Sequence, residues 1–163
     1  LLSAMKERGL IKAPLVGIIT DFGVHKYWIS PQVDLYLVPS ADVRRKMVRL
    51  GVAEERIRVT GIPVDLRFAS RGDRRAERMA LGLAPHRPTV LVMGGNYGLG
   101  PLEDAVHALR RLPLEVQVLV VCGNNRTLLR KMNQHFGEDR HVRVLGLTRS
   151  VHRLMDAADP LIS

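Results

Sequence analysis

Continuous apolar runs alternate with amphipathic stretches along most of the chain. Leu15 to Thr20 reads as a buried strand, followed by a polar and aromatic loop from Asp21 to Pro31. Val33 to Val38 reads as a second strand, ended by Pro39. Ser40 is placed to cap a helix over 41–50, whose apolar face is Val43, Met47 and Leu50 and which Gly51 closes. Ile57 to Thr60 predicts a third strand, stopped by Gly61-Ile62-Pro63. An Arg-rich helix is expected over 73–81, ahead of the breakers Gly82, Pro85 and Pro88. From there the rhythm is regular. Strands predicted at 89–93, 116–122 and 141–145 each run into a glycine (Gly94, Gly123, Gly146), with helices at 102–111, 126–135 and 150–157. Val/Leu-rich strands alternating with helices predict an α/β fold, its parallel sheet covered by helices on both faces. Ligands of such sheets sit at the carboxyl ends of the strands, where these three glycines fall.

The stretch from Val90 to Pro101 (V-L-V-M-G-G-N-Y-G-L-G-P) changes this picture most. A buried strand empties into a loop with four glycines, and a helix follows. Free N–H groups and the dipole at a helix N-terminus suit an anion, most often a phosphate, and glycines let the backbone approach it. The loop has no Lys-Ser/Thr ending and misses the G-x-G-x-x-G spacing, so it is neither a P-loop nor the dinucleotide fingerprint. A tight strand–helix turn that binds nothing is the other reading of the same residues.

With 46% hydrophobic residues in 163, the chain has the means for a packed core, while 4% aromatic content supplies few stacking platforms for single-stranded nucleic acid. The single cysteine, Cys122, lies inside an apolar run, which argues against disulfides and a cysteine-based metal site. No signal-peptide pattern and no apolar run of about 20 residues is present, so a cytoplasmic setting is expected. The net charge of +9 implies an acidic ligand, nucleic acid or anionic membrane as partner. Two basic patches carry it, Arg44, Arg45, Lys46 and Arg49, and then Arg67, Arg71, Arg74, Arg75 and Arg78. Each alone also reads as a solvated helix face.

The chain opens within a predicted helix (1–9) and closes at Leu161-Ile162-Ser163, the start of a further strand. It therefore reads as part of a larger protein, with residues 1–67 from one α/β domain, 68–88 an inter-domain connection and 89–163 from a second α/β domain.

Six motifs in series carry a family resemblance: T-D-F-G-V-H-K-Y-W (20–28), V-T-G-I-P-V-D (59–65), V-M-G-G-N-Y-G-L-G-P (92–101), V-C-G-N-N (121–125), V-L-G-L-T (144–148) and L-M-D-A-A-D (154–159). Together they resemble the monogalactosyldiacylglycerol synthase and processive diacylglycerol glucosyltransferase family. These are inverting, UDP-sugar-dependent glycosyltransferases of GT-B fold, related to the lipid I N-acetylglucosaminyltransferase. The resemblance implies a fragment of a two-domain, Rossmann-like GT-B enzyme.

It also implies roles. Gly94, Gly95, Asn96, Gly98 and Gly100 would face the UDP diphosphate, their amides offsetting charge as UDP leaves, with no metal and no cofactor. Gly123 and Asn124 would border the donor pocket. Leu147, Thr148 and Val151 would meet the uracil, with Leu147 standing for a common phenylalanine and Val151 for a methionine. Asp21, His25 and Trp28 would lie on the acceptor side. His25 there reads as orienting a hydroxyl, as an acid–base group or as a structural loop histidine. The family's proposed base lies in an earlier motif and its ribose-gripping acid in a later one, so this chain alone is expected to be inactive. Asn96 replaces a third consecutive glycine and is expected to tolerate positive φ. The implied partners are UDP-glucose or UDP-galactose, diacylglycerol or its glycosylated product, and an anionic membrane surface at the inner face of the cell membrane. No nucleic acid is expected. The alternatives are a lipid I N-acetylglucosaminyltransferase-like enzyme and, from charge alone, a non-catalytic nucleotide- or nucleic-acid-binding module.

Overall fold

Backbone pairing follows the apolar runs. The computed structural model describes residues 1–163 and forms two units, Leu1–Asp65 and Leu66–Ser163, each with its own parallel sheet. In the first unit, β1 (Val16–Ile18), β2 (Leu35–Val38) and β3 (Ile57–Val59) pair in that order, with Val16 opposite Leu35 and Tyr36 opposite Ile57. Helix α1 (Leu2–Glu7) precedes the sheet, and α2 (Ala41–Arg49) joins β2 to β3.

Capping sets both ends of α2. The Ser40 hydroxyl accepts the Val43 N–H at 3.3 Å. At the other end, Gly51 at φ +91° donates to the Val48 carbonyl, and Val52 N–H returns to Met47 O at 3.1 Å. This pair of bonds satisfies carbonyls that the last turn leaves open. Val43 and Met47, four residues apart and so on one face, are fully buried against Tyr36, Val38, Val52 and Ile57. Tyr36 packs its ring where a Cβ on Gly17 would lie 2.9 Å away, and its phenol accepts the Ser30 N–H at 2.8 Å. The loop carrying Trp28 is thereby fixed to the sheet. Asp34 anchors the entry to β1: it accepts the Leu15 N–H at 2.6 Å and pairs with Lys6, whose ammonium holds this carboxyl below the usual range. One expectation changes here. Val16 and Ile18 are exposed, so this sheet is covered on one face and not on both.

The second unit begins with α3 (Arg74–Ala80), capped by Asp73, whose carboxylate accepts from Arg75 N at 2.8 Å. It continues with β4 (Thr89–Met93), α4 (Leu102–Arg110), β5 (Gln117–Val121), α5 (Arg126–Phe136), β6 (Val142–Leu145), α6 (Val151–Ala157) and β7 (Leu161–Ile162). The strand order is β6-β5-β4-β7, all parallel. Alternate residues face opposite layers. Val90, Val92, Val118 and Val120 pack with Val106 of α4 and with Met132 and Phe136 of α5. Leu91, Leu119 and Val121 pack with Leu154 and Ala157 of α6 on the other face. Two crossovers on one face and the third on the other make the sheet doubly wound, and the strand order reverses beside β4.

The stretch 68–88, expected as a connection, lies within this unit and holds α3. Arg78 is only 5% exposed and therefore does not belong to a solvated basic face. Its guanidinium donates to Ala157 O (2.8 Å), Pro85 O (3.1 Å) and Asp159 Oδ2 (2.6 Å). Asp159 Oδ2 also accepts the Thr89 N–H at 2.8 Å, where β4 begins. Arg78→Met keeps the bulk and removes every donor, leaving two carbonyls and a carboxylate short of partners. Urea unfolding is expected to show a loss of about 3 kcal/mol. A loss under about 1 kcal/mol, the scale of an exposed pair, would show that the network contributes little.

Candidate functional site

Three loops leave the carboxyl ends of β4, β5 and β6, and the first two are in direct contact. After β4, Gly94 to Pro101 forms a 3-10 turn at Gly95–Tyr97 and a left-handed residue at Gly98, φ +57°. Leu99 N–H closes back on Gly94 O at 2.8 Å, and a Cβ on Gly94 would lie 1.9 Å from Leu99 O. A Cβ on Gly98 would lie 2.4 Å from the Cys122 carbonyl, and one on Gly123 would lie 2.4 Å from the Asn96 carbonyl. Glycine is required at these two positions because backbone packs on backbone, and both also have positive φ. Two bonds close the contact: Asn124 N–H to Asn96 O at 2.7 Å, and Asn124 Nδ2 to Asn96 Oδ1 at 2.8 Å.

Asn96 therefore departs from expectation. No residue other than glycine has positive φ, so Asn96 needs no left-handed conformation. Its backbone and side chain both bind Asn124 instead. Gly95 is the open position of the loop: it has φ +64°, and a Cβ there would meet no atom within 4 Å. Tyr97 and Leu99 are exposed beside it. As the sequence predicts, the strand empties into this loop before α4 begins at Leu102. The first turn of α4 holds Glu103 and Asp104, acidic side chains that already complement the helix dipole. An anion at this edge would meet the amides of the glycine loop, since the first N–H groups of a helical turn lack partners within it.

Beneath this contact Cys122 is buried, and burial pushes its thiol up, so it is no nucleophile at neutral pH. Asn125 caps α5 through Leu128 N–H at 2.9 Å. After β6 the Thr148 hydroxyl accepts the Ser150 N–H at 3.1 Å, Leu147 is exposed and Val151 is half-buried. The donor-side residues expected from sequence thus share one sheet edge.

In the first unit, Asp21 and Trp28 line a cavity of about 310 Å³ with Tyr36 and Val33. His25 is not among its walls. Its Nδ1 accepts the Tyr27 N–H at 3.4 Å and its ring lies 4.7 Å from that of Tyr27. A neutral imidazole accepting at Nδ1 carries its proton on Nε2, so the free nitrogen is a donor, suited to orienting a hydroxyl and not to removing its proton.

The basic patches separate. On α2, Arg44 pairs with Glu54 at 2.6 Å, while Arg45, Lys46 and Arg49 are exposed around a cavity of about 300 Å³ that Phe22 and Ser40 also line. In the second unit Arg74 and Arg78 both pair with Asp159, and Arg71 lines a cavity with Asp156. One grouping is not apparent from the sequence. Glu103 and His107, four apart on α4, meet His135 of α5. The i, i+4 spacing is visible in the chain, but the third member comes from another helix.

Residues 1–64 match the family model described as monogalactosyldiacylglycerol (MGDG) synthase. Ninety-nine per cent of the chain aligns at 30% identity with the processive diacylglycerol beta-glucosyltransferase of Staphylococcus carnosus (strain TM300), of which it spans 42%. The enzyme of the same name from Staphylococcus haemolyticus (strain JCSC1435) is matched equally, at 30% over 99% of this chain and 42% of its own length. Among solved structures, Anabaena Alr3699/HepE in complex with UDP has a TM-score of 0.62 at 18% identity, over 97% of this chain and 48% of that one. A glycosyltransferase from Rickettsia africae ESF-5 has a TM-score of 0.61 at 14% identity, over 98% and 47%. The fold is that of part of a GT-B glycosyltransferase. The chain is similar to the monogalactosyldiacylglycerol synthase and processive diacylglycerol glucosyltransferase family over nearly its whole length, and it spans less than half the length of the curated relatives it matches.

The loop contact makes its own prediction. Gly95→Ala places a Cβ in open space and costs only the left-handed strain, about 1 kcal/mol. Gly98→Ala adds a collision with the Cys122 carbonyl and is expected to cost clearly more in chemical unfolding. Equal losses would show that the two loops do not pack in this way.

Proposed function

We propose that the protein carrying this chain transfers a hexose from a UDP-sugar to diacylglycerol or to its glycosylated product. The glycine loop at the carboxyl end of β4, beside the point where strand order reverses, carries this reading. Relatives named for diacylglycerol glucosyl transfer, and a solved neighbour in complex with UDP-glucose, support it. Those names favour UDP-glucose over UDP-galactose as donor.

In this reading the diphosphate lies over Gly94, Gly95, Asn96, Gly98 and Gly100. Open space at Gly95 leaves the approach clear, and backbone amides meet the charge that grows on the leaving group. Gly123 and Asn124 hold the loop in place and border the sugar. Exposed Leu147, with Thr148 and Val151, takes the uracil. The acceptor hydroxyl attacks the anomeric carbon as its bond to the diphosphate breaks, and the configuration inverts. The proton goes to a base that we assign to no residue of this chain, so the chain by itself is expected to be inactive. The cavity at Asp21 and Trp28 belongs to the acceptor; His25, outside its walls, offers its Nε2–H to an acceptor hydroxyl that extends beyond the cavity. The step uses electrostatics supplied by the fold and calls for no cofactor.

No helix is long and apolar enough to cross a membrane. We place the protein at the cytoplasmic membrane surface, held by the exposed Arg45, Lys46 and Arg49 of α2, and assign it no nucleic-acid partner.

Three experiments test these assignments. With the full-length protein, UDP-glucose and diacylglycerol vesicles are expected to yield glycolipid. Gly95→Val is expected to weaken UDP binding on the order of tenfold, about 1.4 kcal/mol, in a protein whose fold persists. No glycolipid from any UDP-hexose, or unchanged UDP affinity in the folded variant, would sink the respective assignment. Reversing Arg45, Lys46 and Arg49 to Glu is expected to reduce binding to anionic vesicles, by about 1 kcal/mol or more per residue. The effect should shrink with added salt. Vesicle binding indifferent to both the mutations and salt would remove α2 from the membrane surface.

A further inference from the structure

The second unit carries a side-chain cluster apart from the loops described above. Helices α4 and α5 lie side by side on one face of the sheet, held by Val106, Met132 and Phe136 in a common core. Glu103 and His107 project from the same face of α4, because residues four apart are neighbours on a helix. His135 comes from the last turn of α5. Glu103 Oε1 lies 2.6 Å from His135 Nδ1 and 4.0 Å from His107 Nε2. All three ligand atoms lie within 4.8 Å of one another.

We propose that Glu103, His107 and His135 form a zinc(II) site that ties α4 to α5. Tetrahedral zinc with bonds of about 2.1 Å spaces its ligand atoms about 3.4 Å apart, within the range found here. The side chains of His107 and His135 are 45% and 42% exposed, which leaves room for a small rotation and a path for the ion. Buried Phe136 touches both imidazoles, with ring centroids 4.7 Å from His107 and 6.3 Å from His135, and limits their wandering.

The surroundings suit a metal-bound carboxylate. Lys131 Nζ lies 2.5 Å from Glu103 Oε2, so one oxygen is oriented by an ammonium while the other faces the histidines. Outer partners of this kind fix the ligand and sharpen the site. An ion pair between Glu103 and Lys131 alone gives no reason for two imidazoles to converge on the second oxygen. Two imidazoles and one carboxylate select zinc over magnesium, which prefers an all-oxygen shell. The fourth position opens to solvent and would hold water.

Position gives the site its role. Helix α4 follows the Gly94–Pro101 loop and carries Glu103 in its first turn, so a metal here ties the end of that loop to the last turn of α5. The site is structural and does not depend on which ligand that loop takes.

The test uses the full-length protein stripped of metal, titrated with zinc sulfate against a chromogenic chelator, with magnesium chloride as the counter-probe. One zinc site that needs Glu103, His107 and His135 is expected. Zinc should raise the melting temperature and magnesium should not. H107Q and H135Q are each expected to weaken that site at least tenfold, since loss of an outer partner alone already costs 10–100-fold. E103Q should weaken it too. Both histidines are partly exposed, so metal-free H107Q and H135Q should melt where the metal-free parent does. If one is destabilised, the other carries the comparison. The site is refuted if zinc binding and the melting-temperature rise persist unchanged in the H107Q/H135Q double variant, if the parent shows neither, or if magnesium stabilises equally.

Discussion

Arg78 occupies the junction of three elements of the second unit, and its guanidinium is the constraint from which the positions of the others follow. It reaches the end of α6 through Ala157 O, the segment before β4 through Pro85 O, and the entry to β7 through Asp159. Asp159 in turn exchanges bonds with Thr89 through side chain and backbone, so the first residue of β4 is held from both sides. A buried ion pair of this kind adds modest net stability, because desolvation offsets the attraction. Its geometric effect is larger. The donors of a planar guanidinium satisfy these acceptors in one arrangement only, and a slip of β4 would strand all of them. Since β4 feeds the glycine loop, the place where that loop emerges is set at the opposite end of the strand.

The second sheet was legible in the sequence because β4, β5 and β6 are Val/Leu-rich runs that each lead into a glycine. The strand at 89–93 falls where the run predicts, and the Leu161-Ile162 ending does form β7. The first sheet was less legible. Val16 and Ile18 have the same apolar character as buried residues, yet no layer of this unit covers them. Apolar patterning reports that a surface wants cover, not whether the unit supplies it. Local sequence also misjudged Asn96 and Arg78. A glycine-rich context pointed to positive φ for Asn96, but its conformation answers to a partner 28 residues away. Arg78 sits among arginines and reads as surface charge until Asp159, 81 residues on, is brought beside it. Both errors have one cause: long-range hydrogen bonds override local patterns.

Charge is likewise redistributed by folding. The composition gives one net value of +9, but the two basic patches differ in kind. In the second unit, Asp156 and Asp159 draw arginines into pairs and around a cavity. On α2 the pairs are exposed, Glu54 with Arg44 and Asp42 with Arg45, and Lys46 and Arg49 remain toward solvent. Exposed pairs of this sort are weakly held and readily exchanged for another anion. A positive field therefore persists on α2, while in the second unit one arginine, Arg78, serves as internal scaffolding.

Cys122 lies where β5 ends, directly under the meeting of the two loops, and the Gly98 backbone closes over its carbonyl. A thiol in that position is silent toward alkylating reagents for as long as the loops stay together. Its labelling rate under native conditions, compared with that of a free thiol, then measures how often this edge of the sheet opens and at what free energy. Anything that settles on the loops and holds them shut slows the reaction without touching the sulfur. The chain thus contains a built-in clock for the breathing of this loop edge, read from a single sulfur atom.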